Sequence, residues 1–116
     1  MEKPRIDSYR FGEIIIDGRR YTHDVIIYPD HVDDRWWREE GHSVATSDLQ
    51  EVLESHPAIL VIGQGSPGRM EVPEDTRRRL DEAGIELIVQ PTTEALATYN
   101  RLRDARHVVA ALHLTC

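Results

Sequence analysis

The chain has 116 residues, a single cysteine (Cys116), 40% apolar and 30% charged residues, and a formal net charge of -7. Those totals describe one domain with enough chain for its own core. They exclude an internal disulfide framework, and they exclude the basic surface that nucleic acid or an anionic membrane would require. No apolar run approaches the roughly 20 residues of a membrane helix, and Met1 to Arg5 lead into structured-looking sequence without an apolar signal region, so a cytoplasmic location is expected.

Residues 6 to 28 read as β structure. Ile14-Ile15-Ile16 is followed by Asp17-Gly18, then by Tyr21 and Val25-Ile26-Ile27-Tyr28. Asp-Gly between two β-prone runs predicts a hairpin, because a type I′ turn needs positive φ at both central positions. Pro29 ends the second run. Residues 30 to 46 form a polar connection, loop or bent strand, that carries Trp36, Trp37 and Arg38. A connection of that length in a small domain is often functional.

From Ser47 the period turns helical. Ser47 and Gln50 suit a capping box, Leu49, Val52, Leu53 and His56 share a face, and Pro57 closes the helix. Ile59 to Ile62 are four consecutive aliphatic residues, the pattern of a strand buried on both faces. Pro73, Glu74 and Asp75 suit the first turn of a second helix, with Gly84 just past its end. A strand over Ile85 to Val89 follows. A third helix starts at Pro91 to Thr93 and buries Ala95, Leu96, Tyr99 and Leu102. A last apolar strand runs from Val108 to Leu114. Strands that alternate with helices in this way pair in parallel through right-handed crossovers. The fold class is therefore α/β: a central, largely parallel sheet with βαβαβ connections, plus an N-terminal β-hairpin at an edge or over one face. Arg77-Arg78-Arg79 reads as an exposed helix face with i,i+4 partners in Glu74, Asp75 and Glu82.

The residues resemble those of the Mth-type domain family over nearly the whole chain. Its members include an adipogenesis-associated Mth-domain protein and a mitochondrial assembly factor for respiratory complex I. The matching pieces are Phe11-Gly12, Ile16-Asp17-Gly18, Tyr21, Asp24-Val25, Trp37-Arg38 and Gly41-His42. They continue with Leu60-Val61-Ile62-Gly63, Gly65, Gly68-Arg69-Met70, Gly84-Ile85-Glu86, Tyr99-Asn100 and Ala110 to Cys116. The chain departs from the family pattern at Gln64, where Thr is usual, and at Ser66-Pro67. The resemblance implies a three-layer single domain across residues 1 to 116, with assembly or regulatory roles rather than an established reaction.

Gly63-Gln64-Gly65-Ser66-Pro67-Gly68 has the spacing of a dinucleotide fingerprint. The helix signal comes only at Pro73, however, and the next strand ends Val89-Gln90 without the ribose-binding acid. No dinucleotide, and no other cofactor, is expected. A tight glycine turn, or a loop whose amides and Arg69 meet a small anion, remains. In an open parallel sheet, ligands sit beyond the strands' carboxyl ends, and three such ends should share one edge: Gly63 to Gly68, Gln90 to Thr93, and His113 to Cys116. The ligand-pocket candidates are Gly63, Gln64, Gly65, Ser66, Gly68, Arg69, Thr92, Thr93 and His113. Asp30 to Asp34 reads as a solvated acidic loop, lacks Ca²⁺-loop spacing, and no metal site is expected. In extended chain adjacent side chains point opposite ways, so either one of Trp36 and Trp37 belongs to the core and the other, beside Arg38, to a partner surface, or both pack, one of them covering a sheet edge. Two readings follow: a non-enzymatic binding or assembly domain with a protein partner or self-association, or a small-anion binder or enzyme at the sheet edge.

Overall fold

Ile59 to Ile62 are fully buried in a strand that separates two apolar layers. The computed structural model describes residues 3–116 and shows a mixed α/β domain with two sheets and three helices. Strands β1 (Ile6–Arg10), β2 (Glu13–Ile16) and β3 (Arg19–Tyr21) form a small antiparallel sheet in that order. The second sheet has the order β5 (Val32–Asp33), β4 (Val25–Ile27), β8 (Val108–His113), β6 (Ile59–Gln64), β7 (Glu86–Gln90). Helices α1 (Gln50–Ser55), α2 (Glu74–Glu82) and α3 (Thr92–Leu102) connect its strands. No helix among the described residues is long and apolar enough to cross a membrane.

The two faces of the second sheet follow from period-two alternation. Leu60, Ile62, Val109 and Ala111 pack with Val52 of α1 and Leu80 of α2. Ile59, Val61, Ala110 and Leu112 pack with Ala95 and Tyr99 of α3 and with Ile6, Ile14 and Ile16 of the small sheet. Each buried Val, Leu or Ile side chain among them contributes about 1.5–3 kcal/mol by leaving water.

The expected sheet is parallel only on one side, over β8, β6 and the edge strand β7. β6 pairs in parallel with β7 and β8, whereas β4 runs antiparallel to β8 and β5 antiparallel to β4. The hairpin turn forms at Asp17 (φ 50°) and Gly18 (φ 78°), with Ile14 opposite Tyr21 and Ile16 opposite Arg19. Its second arm is shorter than the β-prone run, because Val25 to Ile27 cross to the other sheet and pair with β8. All three of these residues are buried, while Arg19 and Arg20 of β3 are exposed. Three consecutive buried residues need two covered faces, which only the larger sheet offers.

The first helical segment also starts differently. A 3-10 turn at Thr46–Leu49 precedes α1, and the Asp48 carboxylate accepts from the Ala45 N–H at 2.8 Å, so the cap sits two residues before the expected Ser47–Gln50 pair. His56, in the left-handed region at φ 49°, ends α1. Among the described residues Arg77, Arg78 and Arg79 form no ion pair within 4 Å; Arg77 Nε instead donates to the Val72 carbonyl.

Ile14 is fully buried and its neighbour Ile15 only partly. Urea unfolding should show Ile14→Ala losing about 2–5 kcal/mol and Ile15→Ala about 1 kcal/mol or less. Equal losses would mean that the small sheet does not cover the larger one in this register.

Candidate functional site

The glycine loop turns out of β6 against the chain's own last residues. Gly65 has φ +83°, and a Cβ there would lie 2.0 Å from the Thr115 carbonyl oxygen. Its N–H donates to Thr92 Oγ1 (2.8 Å), and its carbonyl accepts from the Thr92 N–H (3.1 Å). Thr92 Oγ1 in turn donates to the His113 carbonyl (2.6 Å), and the Ser66 N–H donates to the Thr115 carbonyl (3.1 Å). The three strand ends thus meet, joined by one buried hydroxyl. The Gly65 and Ser66 amides face Thr92 and Thr115. At Gly63 and Gly68 the space a Cβ would need is occupied by Leu112 and Thr92 and by Pro91. Gln64 closes the loop on Met70, donating from its amide to the Met70 carbonyl (2.9 Å) and accepting the Met70 N–H (3.2 Å). Arg69 and Thr93 are exposed. Cys116 is a free, exposed thiol, and Asp30 pairs with the adjacent His31.

His113, at the end of β8, packs its ring edge against Gly65, where a Cβ would lie 2.6 Å from His113 Cδ2, and turns its Nδ1 into a cluster with Asp24 and Arg38. His113 Nδ1 lies 2.8 Å from Asp24 Oδ2, and Arg38 Nη2 donates to that same oxygen at 2.9 Å. A carboxylate only accepts, so Nδ1 carries a proton, and the 3.1 Å between Arg38 Nη2 and His113 Nδ1 separates two donors that converge on one oxygen. The Leu114 N–H donates to the other Asp24 oxygen (2.8 Å). Arg38 also donates to the Gly41 carbonyl, and its guanidinium lies over the Trp36 ring, 4.5 Å from the centroid. The His42 ring meets His113 edge-on at 6.1 Å. Burial pushes the Asp24 carboxyl up, but the hydrogen bonds from His113, Leu114 and Arg38, with the charge of a protonated His113, outweigh it and hold the group below the ordinary carboxylate range. Two buried nitrogens in the cluster have no partner among the described residues: Arg38 Nη1 and His113 Nε2.

This cluster holds the tryptophan segment. The Trp36 N–H donates to the Asp24 carbonyl and its indole N–H to the Asp48 carbonyl, both at 3.0 Å. Trp36 is 6% exposed, Trp37 75%, and the Arg38 side chain 5%. Two grooves flank Trp37. One, of about 580 Å³, runs from Trp37 past Tyr28 to Glu51 and Glu54 on α1. The other, of about 510 Å³, lies between Trp37 and Thr22 to Asp24. Trp36 and Trp37 line both, and no residue of the glycine loop lines either.

Of the nine pocket candidates, the structure joins Gly65, Thr92 and the His113 backbone, and sends the His113 side chain to Arg38. Asp24 was not among the candidates, although Asp24, Arg38, Gly41, His42 and His113 all lie in the pieces that carry the family resemblance. No local pattern links them, since Asp24 and His113 are 89 positions apart.

The fold and the cluster at its edge define a class of small mixed α/β domains. Residues 6–113 match a family described as a protein of unknown function (DUF498/DUF598), and the chain belongs to that family. A conserved hypothetical protein from Pyrococcus horikoshii OT3 has the same fold, with a TM-score of 0.88, 28% identity, and 97% of this chain and 99% of that one covered. The structure named MT938 is 31% identical, with a TM-score of 0.81 over 97% of this chain and 99% of that one. A Mth938-like domain of Bordetella pertussis shares the fold at 22% identity, with a TM-score of 0.77 over 96% of this chain and 85% of that one. The Mth-type resemblance is thereby confirmed.

A carboxylate whose folded pKa is lowered stabilises the fold above its unfolded value, about 3.9, and that contribution disappears as pH falls through the folded value. Wild type should therefore lose stability on acidification below about pH 4 more steeply than Asp24→Asn. At pH 7 the variant should be less stable by about 1–3 kcal/mol. Denaturant melts across pH measure both, and parallel pH profiles would show that Asp24 is not the group responsible.

Proposed function

We propose that this is a non-enzymatic, cytoplasmic binding or assembly domain that uses the Trp36-Trp37-Arg38 segment to contact a partner protein. The observation that carries the reading is the exposure of Trp37 between two anchored neighbours. A large indole left in water is unfavourable unless something covers it, and a rigid aromatic loses little entropy on docking. The grooves on either side give a partner relief to fill. The glycine loop supports this reading by default, since its Gly65 and Ser66 amides already have acceptors inside the chain.

Affinity capture from the source cytosol with wild type and Trp37→Ala checks it. Wild type should retain a defined protein that the variant releases. Identical captures, or a free monomer for both at all concentrations, would refute the reading. Trp37 is exposed, so the substitution should leave the thermal melt within about 0.5 kcal/mol of wild type.

A second reading has its own observation. Arg38 Nη1 and His113 Nε2 are buried without partners, and such groups in one cluster are a reason to look for a small polar ligand. A small anion at this edge would accept a hydrogen bond from Arg38 Nη1 and meet His113. Under this reading millimolar orthophosphate, a nucleotide or a simple carboxylate raises the melting temperature; no shift with any of them removes the reading.

A further inference from the structure

The larger groove beside Trp37 has a chemistry of its own. Asp33, Glu39, Glu51 and Glu54 line it, with Arg35 as its only cation. Glu39, Glu51 and Glu54 are exposed and make no ion pair among the described residues. Tyr28 also lines the groove. It is 96% buried, being 4% exposed, and its hydroxyl has no hydrogen-bond partner among the described residues. Burial first, then the Glu51 carboxylate close beside the hydroxyl and the charge of Asp33, push that phenol far above its ordinary value. His31 stacks on the Tyr28 ring at 4.6 Å and holds it in place.

We infer that this groove receives a basic segment of the partner protein, an extended stretch bearing Arg or Lys side chains. This rests on the reading of Trp37 as a partner contact and names the partner's chemistry. Carboxylates without ion partners on a concave surface create a negative potential that attracts and orients cations. The open face of Trp37 suits a guanidinium or ammonium, whose attraction to an indole is strongest among the aromatic rings. The unpartnered Tyr28 hydroxyl supplies a neutral acceptor for an N–H at the groove floor. Arg is the better fit of the two cations, because its planar group stacks on an indole while it forks to a carboxylate. Like charges exclude an acidic segment, and a purely apolar one would leave Tyr28 and the carboxylates desolvated without partners.

The test is fluorescence anisotropy with a labelled Arg-rich peptide and its Arg→Gln counterpart. It is run on wild type, on the Glu51→Gln/Glu54→Gln double variant, and on Glu82→Gln as a control acid on α2. The expected result is saturable binding of the Arg peptide below about 1 mM, weakened about tenfold or more by the double variant and by raised salt, and unchanged by Glu82→Gln. The Arg→Gln peptide should not bind. Thermal melts confirm that the exposed Glu51 and Glu54 can be changed without unfolding the chain. The inference is overturned if wild type shows no saturable binding. It also falls if Glu82→Gln weakens binding as much as the double variant, which would indicate general attraction to an acidic surface. Spermine that saturates the groove as tightly as the peptide would replace the partner segment by a free polycation and overturn it as well. Capture lost with Trp37→Ala but kept by the double variant would leave the Trp37 contact standing and remove the basic segment alone.

Discussion

Three consecutive backbone carbonyls, of His113, Leu114 and Thr115, accept hydrogen bonds from four donors in three other parts of the chain. The Thr92 hydroxyl at the start of α3 reaches the first. The Gly12 N–H and the Tyr9 hydroxyl, from either end of the β1–β2 turn, share the second. The Ser66 N–H takes the third. The Leu114 N–H completes the set by donating to Asp24, just before β4. A strand end normally frays into water. This one is the point where the small sheet, the glycine loop, α3 and β4 are joined, so the shape of that edge depends on residues 113 to 115.

The same junction explains how the exposed tryptophan is presented. Asp24 is fixed by Leu114 and His113, and it fixes Arg38 in turn. Trp36 is held by the Asp24 and Asp48 carbonyls. With the side chains at 36 and 38 both directed inward, residue 37 between them points out, the expected alternation for neighbours along a chain. The exposure of Trp37 is therefore a consequence of two buried anchors, one of them an ion pair. Buried ion pairs give little net stability against an apolar replacement but hold geometry well. The ion pair that holds the loop and the indole that the loop exposes are thus adjacent but distinct.

Much of the architecture was legible because it is written in local patterns. Ile59 to Ile62 could only be a doubly covered strand, Asp17-Gly18 could accept positive φ twice, and Pro73 and Gly84 bracket α2. What local pattern does not carry is the choice of partner. Val25 to Ile27 look like the second arm of a hairpin in sequence, and only the need for cover on two faces sends them to β8. The glycine loop meets a related limit. Glycines report that something comes close, not what comes close, and at Gly65 the neighbour is the chain's own Thr115 carbonyl. Asp24, Arg38 and His113 are unremarkable singly, and their meeting is a property of the closed fold. The Trp36-Trp37 pair was readable either as one inside and one outside or as both packed, and the sequence alone did not choose between them or say which ring would be exposed.

The place of β8 has a kinetic consequence. Val25 pairs with Leu112, 87 positions later, and β8 sits between β4 and β6 in the sheet. Neither neighbour can complete its pairing until residues 108 to 113 arrive. Closing a loop of that length carries an entropic penalty before any native contact offsets it, so the rate-limiting step of folding should be insertion of this strand. A chain that has made its hairpin, β6 and the first helices has open strand edges on both sides of an empty slot. Such an intermediate is aggregation-prone, and its lifetime is set by how fast β8 finds the gap.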